Sequence, residues 1–191
     1  MRTLALLSPE TVDRILVEAF AVLDRPGVKV QSAAGLALLA EAGAGVDRAT
    51  QVARIPEALA RRALETVPRL FQLHDRDGAA RVRYGGDAVH FDPGSAALHL
   101  LDPESGLHRD GVTSDLLRLI KVTEMLPQFD AQSTALVCSD VPAAIGDLYR
   151  LYLVLRHSDK PIVTGAFALE TLGVMLEMLS TVGGDGGVEG V

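Results

Sequence analysis

The residues of this sequence best suited to chemistry are carboxylates and hydroxyls on loops that follow short strand-like stretches. Phe91-Asp92-Pro93-Gly94-Ser95 offers a carboxylate, a sharp turn and a hydroxyl. It reads either as a loop lining a substrate site or as an Asp-Pro-Gly turn between strands. Cys138-Ser139-Asp140 stands where a strand meets a helix, the end of an α/β layer that carries ligands. Asp140 could anchor a cationic or polarised substrate there, or cap the helix that Asp140-Val141-Pro142 begins. Cys138 has no base beside it in sequence, so a nucleophile stands against a buried thiol. Thr164-Gly165 ends the next strand with a hydroxyl and close backbone access, or is only a tight exit. His90 and Asp92 share a strand face, with His74-Asp75 and His99 near in sequence. A metal site needs three or four convergent ligands; no His-Glu-x-x-His or cysteine pair supplies them, and no metal is expected. The glycines from Gly183 to Gly187 lack the Gly-Lys-Ser/Thr of a phosphate loop.

These loops must be placed by strand, helix and strand: Phe129–Val137, Asp147–His157 and Pro161–Phe167. A crossover of this length predicts a right-handed parallel βαβ unit. Such a sheet needs cover on both faces. Tyr149, Leu151 and Leu155 are expected to cover it, with Arg150 and Arg156 in solvent or paired to acids. Upstream, Ser8-Pro9-Glu10 signals a helix start, followed by a stripe of Val12, Ile15, Leu16, Ala19 and Leu23. Ser32 can cap a second helix, Pro56-Glu57 opens a third, and Val28–Val30 and Val52–Ile55 are extended. From Phe71 to His108 the pattern turns to short strands, Phe71–His74, Arg81–Tyr84, Ala88–Phe91 and Leu98–Leu101. Gly85-Gly86-Asp87 and Asp102–Gly106 carry the chemistry of turns between them. Thr113-Ser114-Asp115 caps a helix that Pro127 closes, and Leu169–Leu179 is a last apolar helix. The expected layout is a helical unit over residues 1–70, an antiparallel β layer over 71–112, the first βα units of a barrel over 113–182, and a disordered or artefactual tail over 183–191.

The chain has 191 residues, 48% apolar and 23% charged, with a net charge of −7. That acidic balance argues against non-specific nucleic-acid binding and against a membrane-surface role. A single cysteine fits a reducing compartment. No signal-peptide pattern opens the chain and no run reaches the roughly 18 apolar residues of a membrane span, so a cytoplasmic protein is expected. A closed eight-stranded α/β barrel takes about 250 residues, so this chain could hold only its opening.

The ordered series Leu7-Ser8-Pro9-Glu10, Gly27-Val28-Lys29-Val30, Ile55-Pro56-Glu57, Phe91–Ser95, Leu101–Gly106, Asp147–Leu151 and Ser158–Val163 resembles the trimethylamine:corrinoid methyltransferase family. The resemblance covers Leu7 to about Val182. It implies an α/β fold: an incomplete TIM (β/α)8 barrel preceded by a small helical unit and an antiparallel β layer. The implied activity is methyl transfer from a methylated amine, trimethylamine or of glycine-betaine type, to the cobalt of a corrinoid. That cofactor would sit on a separate corrinoid protein, and none would be bound directly. Asp92, Ser95, Asp140 and Thr164 are expected to line the barrel mouth as substrate-binding residues. The chain then reads as an N-terminal fragment, inactive alone, of a protein that is a homo-oligomer at full length. The alternative is a non-catalytic α/β module that binds a small ligand or assembles with a second half.

Overall fold

The computed structural model describes residues 6–183; the expected tail over 183–191 lies, apart from Gly183, outside the described residues. The chain divides into two compact units, Met1–Pro68 and Arg69–Val191.

The first unit begins with α1 (Pro9–Asp24), whose Ser8 side chain accepts the Thr11 amide at 3.3 Å, as an N-cap hydroxyl does. Strand β1 (Val28–Lys29), α2 (Ala33–Glu41), β2 (Gly45–Asp47), β3 (Val52–Arg54) and α3 (Glu57–Glu65) follow. The three strands form an antiparallel sheet with β3 in the centre. Gly27 makes the close approach possible, because a Cβ there would lie 2.4 Å from the Ala53 carbonyl oxygen, at a φ of +73°. Ser32 caps α2 through the Gly35 amide at 3.1 Å. The expected α1 stripe is hardly used: Val12, Ile15, Leu16 and Ala19 are exposed and Leu23 is half-buried, whereas Phe20, outside that stripe, is buried with the Arg61 guanidinium over its ring.

The second unit holds β4 (Phe71–His74) and β5 (Ala80–Tyr84), paired antiparallel, and β6 (His99–Leu101) and β7 (His108–Asp110), paired likewise. Then come α4 (Thr113–Met125), β8 (Gln132–Ser133), a 3-10 turn over Ala143–Ile145, α5 (Gly146–His157), β9 (Ile162–Val163) and α6 (Leu169–Gly183). Strands β8 and β9 are parallel, so the βαβ unit stands, with shorter strands than the sequence suggests. Leu116 and Ile120 of α4, Leu136 and Cys138 beyond β8, and Leu153 and Val154 of α5 form the core.

The antiparallel layer differs from expectation. It is two separate hairpins, and Ala88–Phe91 is not a strand. The β4–β5 turn falls at Asp75–Gly78, where the Asp75 carboxylate accepts the Asp77 and Ala79 amides, and the turn at Gly85-Gly86-Asp87 follows β5 but leads into no strand. The Asp102–Gly106 turn does join two strands, but the second is the polar His108–Asp110. Arg109 draws it in, through Asp102 at 2.9 Å and both oxygens of Asp115 at 2.7 and 2.9 Å. The described residues form a mixed α/β structure with six α-helices and small sheets. No closed barrel is seen among the described residues.

Lys160 fastens α4 to β9: its ammonium donates to the carbonyls of Thr123, Leu126 and Phe129 at 2.7, 2.8 and 2.7 Å. These oxygens lie at the helix C-terminus, where a cation is favoured. Replacing Lys160 by Met keeps the stem and removes the charge. The variant is expected to lose about 2–3 kcal/mol, the range for hydrogen bonds to a charged group, measured as a shift in the urea midpoint.

Candidate functional site

Thr134, immediately beyond β8, is the centre of the strand ends. Its carbonyl accepts the Ala96 amide at 3.2 Å and Arg150 Nη1 at 2.8 Å, and its hydroxyl meets that of Thr164 at 2.9 Å. Residues 96–97 run parallel beside it, with Ala97 N–H to the Ala135 carbonyl and Val137 N–H to the Ala97 carbonyl, each 2.9 Å. The Ser133 hydroxyl donates to the Gly94 carbonyl. The loop holding Asp92 and Ser95 is thereby brought against β8, and Thr164 against Thr134 from the other side. Asp92 and Ser95 are exposed, Thr164 half-buried.

The Asp92 carboxylate accepts the Gly94 amide at 2.7 Å, so it does form the turn that its sequence suggests. Its second oxygen has no protein partner among the described residues. Ala96 holds a φ of +58°, a conformation costly for a residue with a Cβ.

Asp140 lies apart from this group, beyond Cys138. Its carboxylate accepts the Thr113 amide at 2.9 Å and the Thr113 hydroxyl at 3.1 Å. It thus serves the N-terminus of α4, 27 residues earlier, and not the helix that follows it. Cys138 is buried in the core, and burial pushes its thiol pKa up. His90 meets Asp130 at 3.2 Å and the Arg83 carbonyl at 2.9 Å, a partnership forty residues long that the shared face with Asp92 does not suggest.

The side chains that hold the strand ends come from α5. Arg150 was expected in solvent or beside an acid; it is 1% exposed. Its guanidinium bonds the Thr134 carbonyl and lies 4.4 Å from the centre of the Phe167 ring, a cation–π distance. Its Nε has no partner, and burial lowers its pKa, though an arginine stays charged. Asp147, 2% exposed, accepts the Phe167 amide at 2.9 Å, the Leu148 amide at 2.9 Å and the Thr171 hydroxyl. Burial pushes the Asp147 carboxyl up, but these three bonds outweigh it and hold the pKa below the usual range.

Thr134, Asp147, Arg150 and Phe167 are the site residues that sequence reasoning did not place. A signal for two of them exists: Asp147, Arg150, Leu151 and Val154 follow the i, i+3, i+4, i+7 pattern of a buried stripe. The assembled strand ends can hold a small polar or cationic molecule between hydroxyls and exposed backbone. They offer no accessible nucleophile.

A family profile described as trimethylamine methyltransferase (MTTB) matches residues 1–190. The trimethylamine methyltransferase MttB of Desulfitobacterium hafniense is 24% identical over 181 residues, 95% of this chain and 36% of that protein. MttB2 of Methanosarcina mazei is 28% identical over 130 residues, 66% and 26% of the two chains. The L-carnitine:corrinoid methyltransferase of Eubacterium limosum is 29% identical over 145 residues, 74% and 29%. The chain spans about a third of the length of these curated relatives. Among the described residues, no helix is long and apolar enough to cross a membrane.

Asp147 also sets a pH dependence. A carboxyl with a depressed folded pKa contributes stability above its unfolded value, about 3.9, and loses that contribution as pH falls through the folded value. The stability gap between wild type and Asp147→Asn is therefore expected to be wide at pH 6 and to narrow below about pH 4. Urea unfolding of both proteins across that range measures it; a gap independent of pH contradicts it.

Proposed function

Because the chain belongs to the trimethylamine methyltransferase (MTTB) family, we propose that it is part of an enzyme that takes a methyl group from a small methylated amine. The acceptor is the cobalt of a corrinoid on a separate partner protein. The family match over residues 1–190 carries this reading, and the strand ends support it. The parallel β8–α5–β9 unit followed by α6 is the opening of a (β/α)8 barrel in this reading, with the mouth at the strand ends.

The corrin supplies the nucleophile that accepts the methyl group, and the protein holds the amine still and aims it. A quaternary amine departs as a neutral tertiary amine and needs no proton, and trimethylamine, bound as its ammonium ion, already carries the proton with which it departs as neutral dimethylamine. Hydroxyls and backbone can line such a site without a strong acid. Ser95 and Thr164 supply hydroxyls and Asp92 supplies negative charge for the cation, while Asp140, apart from them at the start of α4, adds its charge only from a distance. The substrate is trimethylamine or a betaine-type quaternary amine, and the 191 residues provide only part of the site.

The assay mixes the protein with a Co(I) corrinoid protein and, separately, trimethylamine, glycine betaine and L-carnitine. The appearance of methylated corrinoid is followed by absorbance. The 191 residues alone are expected to be silent, and the protein at its relatives' length is expected to work with at least one amine. Loss of one hydroxyl contact costs about 1 kcal/mol, so Thr164→Val is expected to raise KM about fivefold. Silence of the extended protein with all three amines overturns the reading.

A further inference from the structure

The loop after β9 is held at both ends and from beneath. At Thr164 the hydroxyl meets Thr134 at 2.9 Å. At Phe167 the amide is bound by Asp147 at 2.9 Å and the ring rests on the Arg150 guanidinium, 4.4 Å from the ring centroid. Between them Gly165 and Ala166 are exposed, and Phe167 itself is 58% exposed. The arch therefore meets solvent above while two buried, opposite charges grip it below. The Asp147 carboxylate takes the backbone, and it also takes the Thr171 hydroxyl at the start of α6. The Arg150 guanidinium takes the ring and bonds back to the Thr134 carbonyl.

Net stability is a poor reason for such a pair. Charges taken out of water are costly, and well-packed apolar residues of similar volume often do as well or better. What the charges do provide is direction, since each bond fixes one part of the loop against the strand end.

We propose that Asp147 and Arg150 are positioning residues that preform the Thr164–Phe167 arch as a wall of the amine site. This rests on the substrate reading given above. Neither side chain touches the amine; both act through the arch, which presents the Thr164 hydroxyl and the exposed Phe167 ring in fixed positions. Preforming a wall lowers the ordering cost of binding. Its loss therefore appears in KM before kcat.

Hydrogen exchange on the whole protein tests the clamp without any assay of activity. In Asp147→Ala, and in Arg150→Met, the amides of 165–167 are expected to exchange at least tenfold faster. Those of α4 should keep their wild-type protection. Asp147→Asn retains an oxygen for the Phe167 amide and is expected to restore most of the protection. Exchange in 165–167 that is unchanged, or that rises only together with α4, overturns the proposal. In the extended enzyme, Asp147→Ala is expected to raise KM for the amine about tenfold with kcat within threefold of wild type. A merely misfolded fraction lowers kcat and leaves KM alone, and that result also overturns the proposal. If the wild-type enzyme methylates no corrinoid, the substrate reading falls and the arch loses its role as a wall. The exchange result then still decides the clamp itself.

Discussion

Parallel strands cannot be joined by a tight turn, and the helix that must cross between β8 and β9 is the constraint on which the second unit depends. Helix α5 meets that need with a stripe made of two halves. Its middle and C-terminal part buries Leu151, Leu153 and Val154, the last two packed in the core with Leu116 and Ile120 of α4 and Leu136 and Cys138 beyond β8. Its N-terminal half is charged, with Asp147 and Arg150 equally buried. The apolar half covers the sheet. The charged half lies where the β8–β9 pairing ends, and there it gives the Thr134 carbonyl a second donor beside the Ala96 amide and gives the Phe167 amide its acceptor.

The two charges suit their places along the helix. Asp147 lies in the first turn of α5, where the helix dipole favours an anion. Arg150 is one turn further in and spends its charge on a carbonyl and an aromatic face. A guanidinium tolerates this better than an ammonium, being planar and weakly hydrated. Around this centre the attachments are also polar: Lys160 on the end of α4 and Asp140 on its beginning reach far along the chain, and Arg109 ties Asp102 to Asp115 nearer by. The second unit is built as an apolar core ringed by charged fastenings.

The parts legible in the sequence were those decided within a few residues. Ser8 and Ser32 cap helices as their neighbours suggest, and Pro127 stands just beyond α4 as a stop should. The βαβ order could be read because a parallel pair requires a crossover. The β hairpins could not be read in full, because Gly85-Gly86-Asp87 has turn chemistry whether or not strands flank it. Likewise His108–Asp110 has no apolar alternation to mark it as a strand. Its reason for pairing is Arg109, whose partners come from another turn and another helix. Asp92 could be read as the carboxylate of a turn and Thr164 as a hydroxyl at a strand end, although the strand expected before Asp92 is absent. Arg150 was misplaced in solvent because residue type outweighed position, although its spacing from Leu151 and Val154 put it on the buried face. Thr134 went unremarked, since its role as a hub depends on segments that only folding brings together.

For a cationic substrate, the pairing of the two α5 charges has a consequence beyond holding the arch. The relatives named for trimethylamine and for L-carnitine stand at similar identity to this chain, so overall likeness does not choose the amine; the local field must contribute. A bare guanidinium about 4 Å from an ammonium would oppose binding by about 1 kcal/mol in water and about 4 kcal/mol at a protein surface. Here the guanidinium lies beneath the Phe167 ring, and Asp147, one turn away, balances its charge. Two opposite charges thus lie beneath the arch, and the second oxygen of the exposed Asp92 adds negative charge on the solvent side. In the proposed reading, in which a charged amine enters and a neutral one leaves, a wall that attracts weakly and does not repel is an advantage.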